Sequence, residues 1–243
     1  MNLLREAWVY LNDPYNWTRD RGILELLGEH LRISASAVLV ALVVALPVGM
    51  LLGHTGRGGG FPVALSNVSR AVPTLALLTV FAVTPIGFGP TATAIALAVF
   101  AVPPILTNTY VGFRSVDRDV VEASRAMGMT GRQVVLRAEL PLATPLVMTG
   151  VRTATVQVVA TAALAALVAG GGLGGIITLA FAQQDYGVVL AGAFLVALLA
   201  VLSEAALALL ARLVTPGPRR LPFPAFGMRT ASGVPRSAAA RPR

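Results

Sequence analysis

The sequence predicts an all-α integral membrane protein with five membrane-spanning helices. Three observations lead to this fold class. Of the 243 residues, 56% are hydrophobic and only 12% are charged. The mean hydropathy is +0.75, which is too apolar for an ordinary soluble domain. Several uncharged stretches also reach the roughly 20 residues that a helix needs to cross a bilayer core about 30 Å thick.

The composition also limits the chemistry of the chain. All 19 basic residues are arginine, so the lysine of a P-loop nucleotide site or of a Schiff-base enzyme is missing. There is no cysteine, and the two histidines, His30 and His54, are too few for a zinc site. We therefore expect no catalytic residues, no metal ligands and no resident cofactor.

The first 32 residues form an N-terminal segment that carries both signs of charge. It contains four aromatic side chains of the kind that favours a membrane interface: Trp8, Tyr10, Tyr15 and Trp17. We predict an interfacial helix on the extracytoplasmic side.

A transmembrane domain is predicted from residue 33 to residue 212. The stretch 71–113 is uncharged but too long for one helix, and the prolines and glycines of 84–91 divide it. The five spans are therefore predicted at about 33–53, 63–83, 92–111, 146–169 and 188–210.

Arginine counts in the loops predict the orientation. Thirteen arginines fall on one side, in 54–62, 112–145 and 211–243. The other side has four, all in the N-terminal segment, where five acidic residues balance them. The positive-inside rule places the N-terminus outside and the C-terminus in the cytoplasm. Residues 213–243 are rich in proline, glycine, serine, alanine and arginine. This composition predicts a disordered basic tail near anionic lipid and not a nucleic-acid-binding domain.

Three charged residues lie inside the predicted spans. Arg70 and Arg152 are a turn or two from the cytoplasmic ends of their spans, and we interpret both as side chains that extend to the headgroups. Glu204 either lies near the cytoplasmic headgroups or is paired inside the bundle. The sequence assigns it no transport role.

The cytoplasmic loop 112–145 carries the most specific pattern. Asp117 and Asp119 precede a helical run over 120–127, where acids suit the positive end of the helix dipole. Gly128 permits a left-handed turn after it.

A second short helix is predicted to follow that turn. Thr130 is a suitable N-cap, and we expect the helix to end at about residue 138, because Leu140 and Pro141 come next. The product is a helix-turn-helix on the cytoplasmic face, with small and apolar residues available to another protein.

This loop resembles the E-A-A motif of ABC importer permeases. The motif has Glu-Ala-Ala, three residues, Gly, nine residues, Ile, one residue and Leu-Pro. Here a serine replaces the second alanine, and Ala138 replaces the isoleucine. The resemblance implies a coupling helix at 122–128 and the following ATPase-coupling residues: Glu122, Ala123, Ser124, Gly128, Leu140 and Pro141.

Flanking segments are similar to permeases of the importers for glycine betaine, choline, carnitine and related osmoprotectants. They include RAVPTLALL, PPILTNTYVGF and GVRTATVQVVATAALAALVAGGGLGG, and the resemblance covers about 24–210. It implies a five-helix core like that of methionine-importer permeases in a bacterial cytoplasmic membrane. It also implies a second permease copy or a sister permease, two ATPase subunits that bind the ATP, and an extracytoplasmic binding protein.

Two other functions stay open. The E-A-A loop also fits an importer of methionine or another polar amino acid. A secondary transporter is the more distant alternative, because such proteins use intramembrane acids and the first four predicted spans contain none.

Polar residues in two spans are candidates for the solute pathway. Four lie at four-residue intervals along one face of the fourth span, namely Thr149, Thr153, Gln157 and Thr161, and Asn108 lies in the third. They could line the pathway. They could instead bond between helices or to the preceding turn of their own helix.

Overall fold

The computed structural model describes residues 2–215, and every regular element within that range is helical. The side chain of Arg70 and the predicted tail from residue 216 onward lie outside the described residues. The helices are α1 Leu3–Asn12, α2 Pro14–Thr18, α3 Ile23–Thr55, α4 Phe61–Ala71, α5 Thr74–Ala82, α6 Pro90–Arg114, α7 Arg118–Ala126, α8 Gly131–Val134, α9 Leu140–Ala162, α10 Gly174–Ala182 and α11 Tyr186–Val214.

Four long helices form the bundle. Helix α6 packs against α3 on one side and α9 on the other, and α11 packs against α9, α10 and α1. Alanines dominate the contacts in the bundle core, where small side chains allow helices to approach closely in a membrane: Ala37, Ala41, Ala45, Ala101 and Ala154. Large apolar side chains such as Val43 and Leu213 are exposed instead, as lipid-facing residues are.

The first long helix begins ten residues before the predicted span. Its first turns bury one stripe at helical spacing, made of Ile23, Leu26, His30 and Ile33. The prediction placed the boundary after residue 32 because charged residues continue to that point. Those charges lie beside the buried stripe, so the helix accommodates them.

The second predicted span, 63–83, is not one helix. Segments Phe61–Ser69 and Thr74–Ala82 meet at 86°. Pro73 causes the break, since the residue before a proline avoids the helical region, and Val72 has an extended backbone.

The bent pair nevertheless connects opposite ends of the bundle. The Thr107 hydroxyl donates to the Pro62 carbonyl at 2.6 Å, so α4 begins beside the second half of α6. The chain then returns to Pro90, the first residue of α6. Seventeen residues of α6 separate Thr107 from Pro90, which is about 25 Å of helix. Helices α4 and α5 together therefore make one passage, and residues 2–215 make five.

Helices α6 and α11 contain the third and fifth predicted spans. The prediction that Leu140 and Pro141 end a helix is wrong, because α8 continues through a π turn, Val135–Glu139, directly into α9. The Leu140 amide bonds to the Val135 carbonyl, five residues back. The α-helical ladder is already interrupted there, so Pro141 removes no regular hydrogen bond.

The loops divide between the two ends of the bundle as the arginine counts predict. At one end, a Glu29 carboxylate oxygen accepts a hydrogen bond from the Gly172 amide at 2.9 Å, and Gly187 lies against Glu6. At the other end, Gly56 lies against Arg114, which ends α6. The N-terminal helices and residues 170–187 thus share one end.

Candidate coupling and translocation sites

The segment 117–134, here called the coupling hairpin, is fixed by local hydrogen bonds. Its first helix, α7, is capped by the Asp117 carboxylate, which accepts from the Asp119 amide at 3.0 Å. Its second helix begins with a capping box between Thr130 and Gln133. Gly128 joins them with φ of +84°, which confirms the predicted left-handed turn.

The two faces of α7 differ. Val121 and Ser124 are buried, whereas Glu122, Ala123 and Met127 are exposed. Val121 belongs to an apolar cluster with residues of α6, α8 and α9, namely Phe113, Val134, Ala143 and Val147. The inner face of α7 is thus anchored on the bundle, and its outer face is open to a partner.

The structure brings four of the six predicted coupling residues together. Glu122 and Ala123 lie on the outer face of α7, and Gly128 lies in the turn. Ser124 is buried, and its hydroxyl donates to the Val120 carbonyl at 2.7 Å. The other two, Leu140 and Pro141, lie at the start of α9, where Leu140 packs on the apolar cluster.

A hydrogen-bonded pair of polar side chains that the sequence analysis missed lies beneath the hairpin. His54, near the end of α3, approaches Glu139 with 2.5 Å between Nδ1 and Oε2. The Glu139 side chain is only 1% exposed. Glu139 was only a spacer in the E-A-A pattern, and 85 residues separate the partners. The sign in the sequence was an acidic residue directly before the Leu-Pro of the E-A-A pattern.

A groove that contains several polar side chains runs along one face of α9 and has a volume of about 570 Å³. Its lining comes from α9, with one acid from α11: Thr149, Arg152, Thr153, Val156, Gln157, Ala160 and Glu204. The guanidinium of Arg152 donates to the Glu204 carboxylate. Glu204 is therefore paired, as in the second of its two predicted alternatives, but 34% of the Arg152 side chain and 39% of the Glu204 side chain stay exposed.

Three of the five predicted pathway residues line this groove, namely Thr149, Thr153 and Gln157. The other two do not. Thr161 donates to the Gln157 carbonyl at 2.7 Å, and Asn108 donates to the Pro104 carbonyl at 2.8 Å and packs against Gly150. Thr149 also bonds to its own helix, at the Pro145 carbonyl. On this face of α9, side chains therefore both line the groove and bond to the preceding turn of their own helix.

A second cavity, of about 840 Å³, lies at the end of the bundle that holds the N-terminal helices. Its lining is mixed in charge and includes Tyr10, Arg19, Glu29, Gln183 and Asp185. This surface offers hydrogen-bonding groups to a large partner or to a solute.

The chain matches a known protein family over most of its length. A family model described as "Binding-protein-dependent transport system inner membrane component" matches residues 45–216. The chain belongs to this family. It is the membrane component of an ABC importer, and the resemblance drawn from the E-A-A loop is confirmed.

Two curated relatives resemble the permease over most of its length. The glycine betaine/carnitine/choline transport system permease protein OpuCB of Bacillus subtilis is 36% identical over 80% of the permease and 89% of that protein. The carnitine transport permease protein OpuCB of Listeria monocytogenes is 38% identical over 77% and 86%.

A solved structure confirms the fold. A chain of the inward-facing MetNI methionine ABC transporter has a TM-score of 0.69 and 28% identity, and the match covers 84% of the permease and 100% of that chain. The predicted methionine-importer-type architecture is therefore correct. Family membership also implies a binding protein and an ATPase as partners, so the permease is a translocation subunit and not itself an enzyme.

Proposed function

We propose that the permease imports a quaternary-ammonium osmoprotectant, such as glycine betaine, choline or carnitine, across the bacterial cytoplasmic membrane. The coupling hairpin carries the importer part of this proposal, because its outer face is free and its inner face is anchored. The similarity to relatives named for these solutes supports the substrate class. In this proposal the N-terminus is outside, and two ATPase subunits bind and hydrolyse the ATP.

Helix α7 is the coupling helix in this mechanism. The exposed Glu122 and Ala123 contact an ATPase subunit, and closure of the two ATPases brings two such helices together. Val121 shares the apolar cluster with Phe113 and Val147, so a displacement of α7 moves α6 and α9 with it. The His54–Glu139 pair adds α3 to the same moving unit. The bundle then rocks between inward-facing and outward-facing states.

A second permease subunit, identical or a sister, covers the groove on α9 in this proposal. The side chains of Arg152 and Glu204 are 34% and 39% exposed in the single chain. Contact of these charges with lipid would be costly, so the groove faces protein or water. The larger cavity, at the opposite end from the coupling hairpin, receives solute from the binding protein.

Reconstitution tests the function. The permease is purified with its genomic ATPase and binding protein, and uptake of labelled glycine betaine, choline, carnitine and methionine into proteoliposomes is measured. ATP-dependent uptake of at least one of the first three is expected. Uptake of methionine alone would support a second candidate function, import of methionine, which the similarity to the methionine transporter favours. Failure of any ATPase to co-purify would contradict the coupling role.

A further inference from the structure

The Arg152–Glu204 pair lies well inside the predicted membrane region. Arg152 is six residues into the fourth predicted span, and Glu204 is six residues from the end of the fifth. Each is therefore about 9 Å along its helix from the cytoplasmic boundary. Charges at such depth are rare and commonly mark a solute or ion pathway.

The geometry of the pair is poor for a purely structural link between helices. In the part of the chain that the structure describes, one hydrogen bond joins Nη2 of Arg152 to Oε1 of Glu204. The Arg152 Nε atom is buried without a partner among residues 2–215. About a third of each side chain stays open to the groove. Because the Nε atom is enclosed, the atoms that remain for a ligand are the guanidinium and carboxylate atoms exposed to the groove.

From this geometry we infer that the groove binds a zwitterionic solute at the Arg152–Glu204 pair. The solute carboxylate replaces Glu204 on the guanidinium, and its cationic group replaces Arg152 beside the carboxylate. Thr153 and Gln157 supply uncharged hydrogen-bonding groups next to the pair. The groove volume of about 570 Å³ falls in the range of small-molecule sites. The inference rests on the proposed function, since it requires that the solute passes this groove.

The exchange explains why a zwitterion suits this site. A solute that carries both charges opens the pair without leaving either protein charge unpaired inside the membrane region, where an unpaired charge is costly. A cation without a carboxylate, such as choline, satisfies only Glu204 and leaves Arg152 unpaired. The site therefore favours glycine betaine, carnitine or an amino acid over choline.

The test uses the complete transporter with its ATPase and binding protein in proteoliposomes, and compares uptake of glycine betaine and choline. Arg152→Gln removes the carboxylate partner but leaves Glu204 for a cation. We expect the ratio of glycine betaine to choline uptake to fall about tenfold or more, as expected for loss of one charge-assisted hydrogen bond. A proportional loss of both solutes would overturn the inference.

A double variant, Arg152→Met with Glu204→Met, separates solute binding from helix tethering. Replacing an ion pair by apolar side chains of similar size commonly preserves stability. We expect an unchanged midpoint of thermal unfolding but a loss of glycine betaine uptake of about tenfold or more. Wild-type uptake by this variant would overturn the inference. Thr155→Val is the matched control, because its hydroxyl bonds to the Val151 carbonyl on α9 outside the groove lining.

If the proposed function is wrong, the uptake measurements give a different result from the one that overturns the zwitterion site. If the wild-type complex takes up methionine and not glycine betaine, the osmoprotectant assignment fails. The same variants then test the pair with methionine, which is also a zwitterion. If the wild-type complex takes up only choline, osmoprotectant import stands and the zwitterion site is wrong.

Discussion

At the residue scale, Gly150 has a packing role that its neighbours define. A Cβ atom at this position would lie 2.7 Å from the Asn108 Cβ and 2.9 Å from the Pro104 carbonyl oxygen. Gly150→Val therefore overpacks the contact between α6 and α9, and we expect a loss of about 1–3 kcal/mol of stability. The measurement is the thermal unfolding midpoint in detergent.

Gly131 supplies the control for this variant. It lies in α8, and a Cβ atom at this position would have no neighbouring atom within 4 Å. Gly131→Ala should leave the midpoint unchanged or raise it slightly, because alanine is the better helix former. Equal midpoints for Gly150→Val and the wild-type protein would show that α6 and α9 do not pack closely here.

The His54–Glu139 pair gives a second prediction at this scale. His54→Leu leaves the Glu139 carboxyl group, which is 1% exposed, without its hydrogen-bond partner, and we expect a destabilisation of about 1–3 kcal/mol. The double variant His54→Leu with Glu139→Leu should recover most of that loss, since it leaves neither buried polar side chain without a partner. Thermal unfolding of the single and double variants measures the difference.

The nearby Thr55→Val variant is the control, because Thr55 is exposed and its hydroxyl bonds only to nearby backbone, donating to the Leu51 carbonyl and accepting from the Arg57 amide. It should unfold like the wild-type protein. If the double variant is as unstable as His54→Leu, packing and not the hydrogen bond explains the effect.

Local roles of residues were predictable from the sequence, and distant pairs were not. The cap at Thr130 and the turn at Gly128 depend on a few neighbouring residues, and both predictions are confirmed. Arg152 and Glu204 are 52 residues apart, and the pairing of their helices is a property of the tertiary structure. The sequence could show that both charges lay inside spans, but not that they meet.

At the element scale, hydrophobic length predicted the long helices well and their interruptions poorly. Uncharged runs are sufficient to place α6 and α11, because a bilayer sets the length of a spanning helix. The break at Pro73 was missed because apolar residues continue on both sides of it. The continuation through Pro141 was missed because a π turn, which no simple pattern predicts, accommodates the proline.

The coupling hairpin gives the prediction that belongs to this scale. Gly128→Val introduces a β-branched residue at φ of +84°, a backbone region that L-residues avoid. No atom lies within 4 Å of a Cβ at this position, so the backbone alone carries the strain. We expect the turn to rearrange and α7 to lose its fixed position. The complex should then hydrolyse ATP while uptake falls about tenfold or more.

Gly131→Ala is again the matched control, since it lies in the same hairpin but has an ordinary helical backbone. Uptake and ATP hydrolysis should both stay at wild-type levels in this variant. Wild-type uptake by Gly128→Val would mean that the turn does not transmit the movement of the ATPase.

At the scale of the whole molecule, the five passages follow from where the ends of the helices meet. The N-terminal helices, the start of α6 and the loop before α11 line one cavity. The coupling hairpin and the end of α3 lie at the other end of α6 and α9. This arrangement requires the bent pair α4–α5 to cross from one end to the other, although neither helix is long enough alone.

Cysteine labelling tests the orientation, because the chain has no cysteine of its own. Met127, Phe88 and Gln183 are exposed, the first in the coupling hairpin and the other two at the opposite end. Thirteen arginines lie on the same side of the membrane as the hairpin, and by the positive-inside rule this side is the cytoplasm. In intact cells, a membrane-impermeant thiol reagent should therefore label Phe88→Cys and Gln183→Cys, and label Met127→Cys only after permeabilisation. The reverse pattern would place the hairpin out of reach of any cytoplasmic ATPase and would contradict the coupling role.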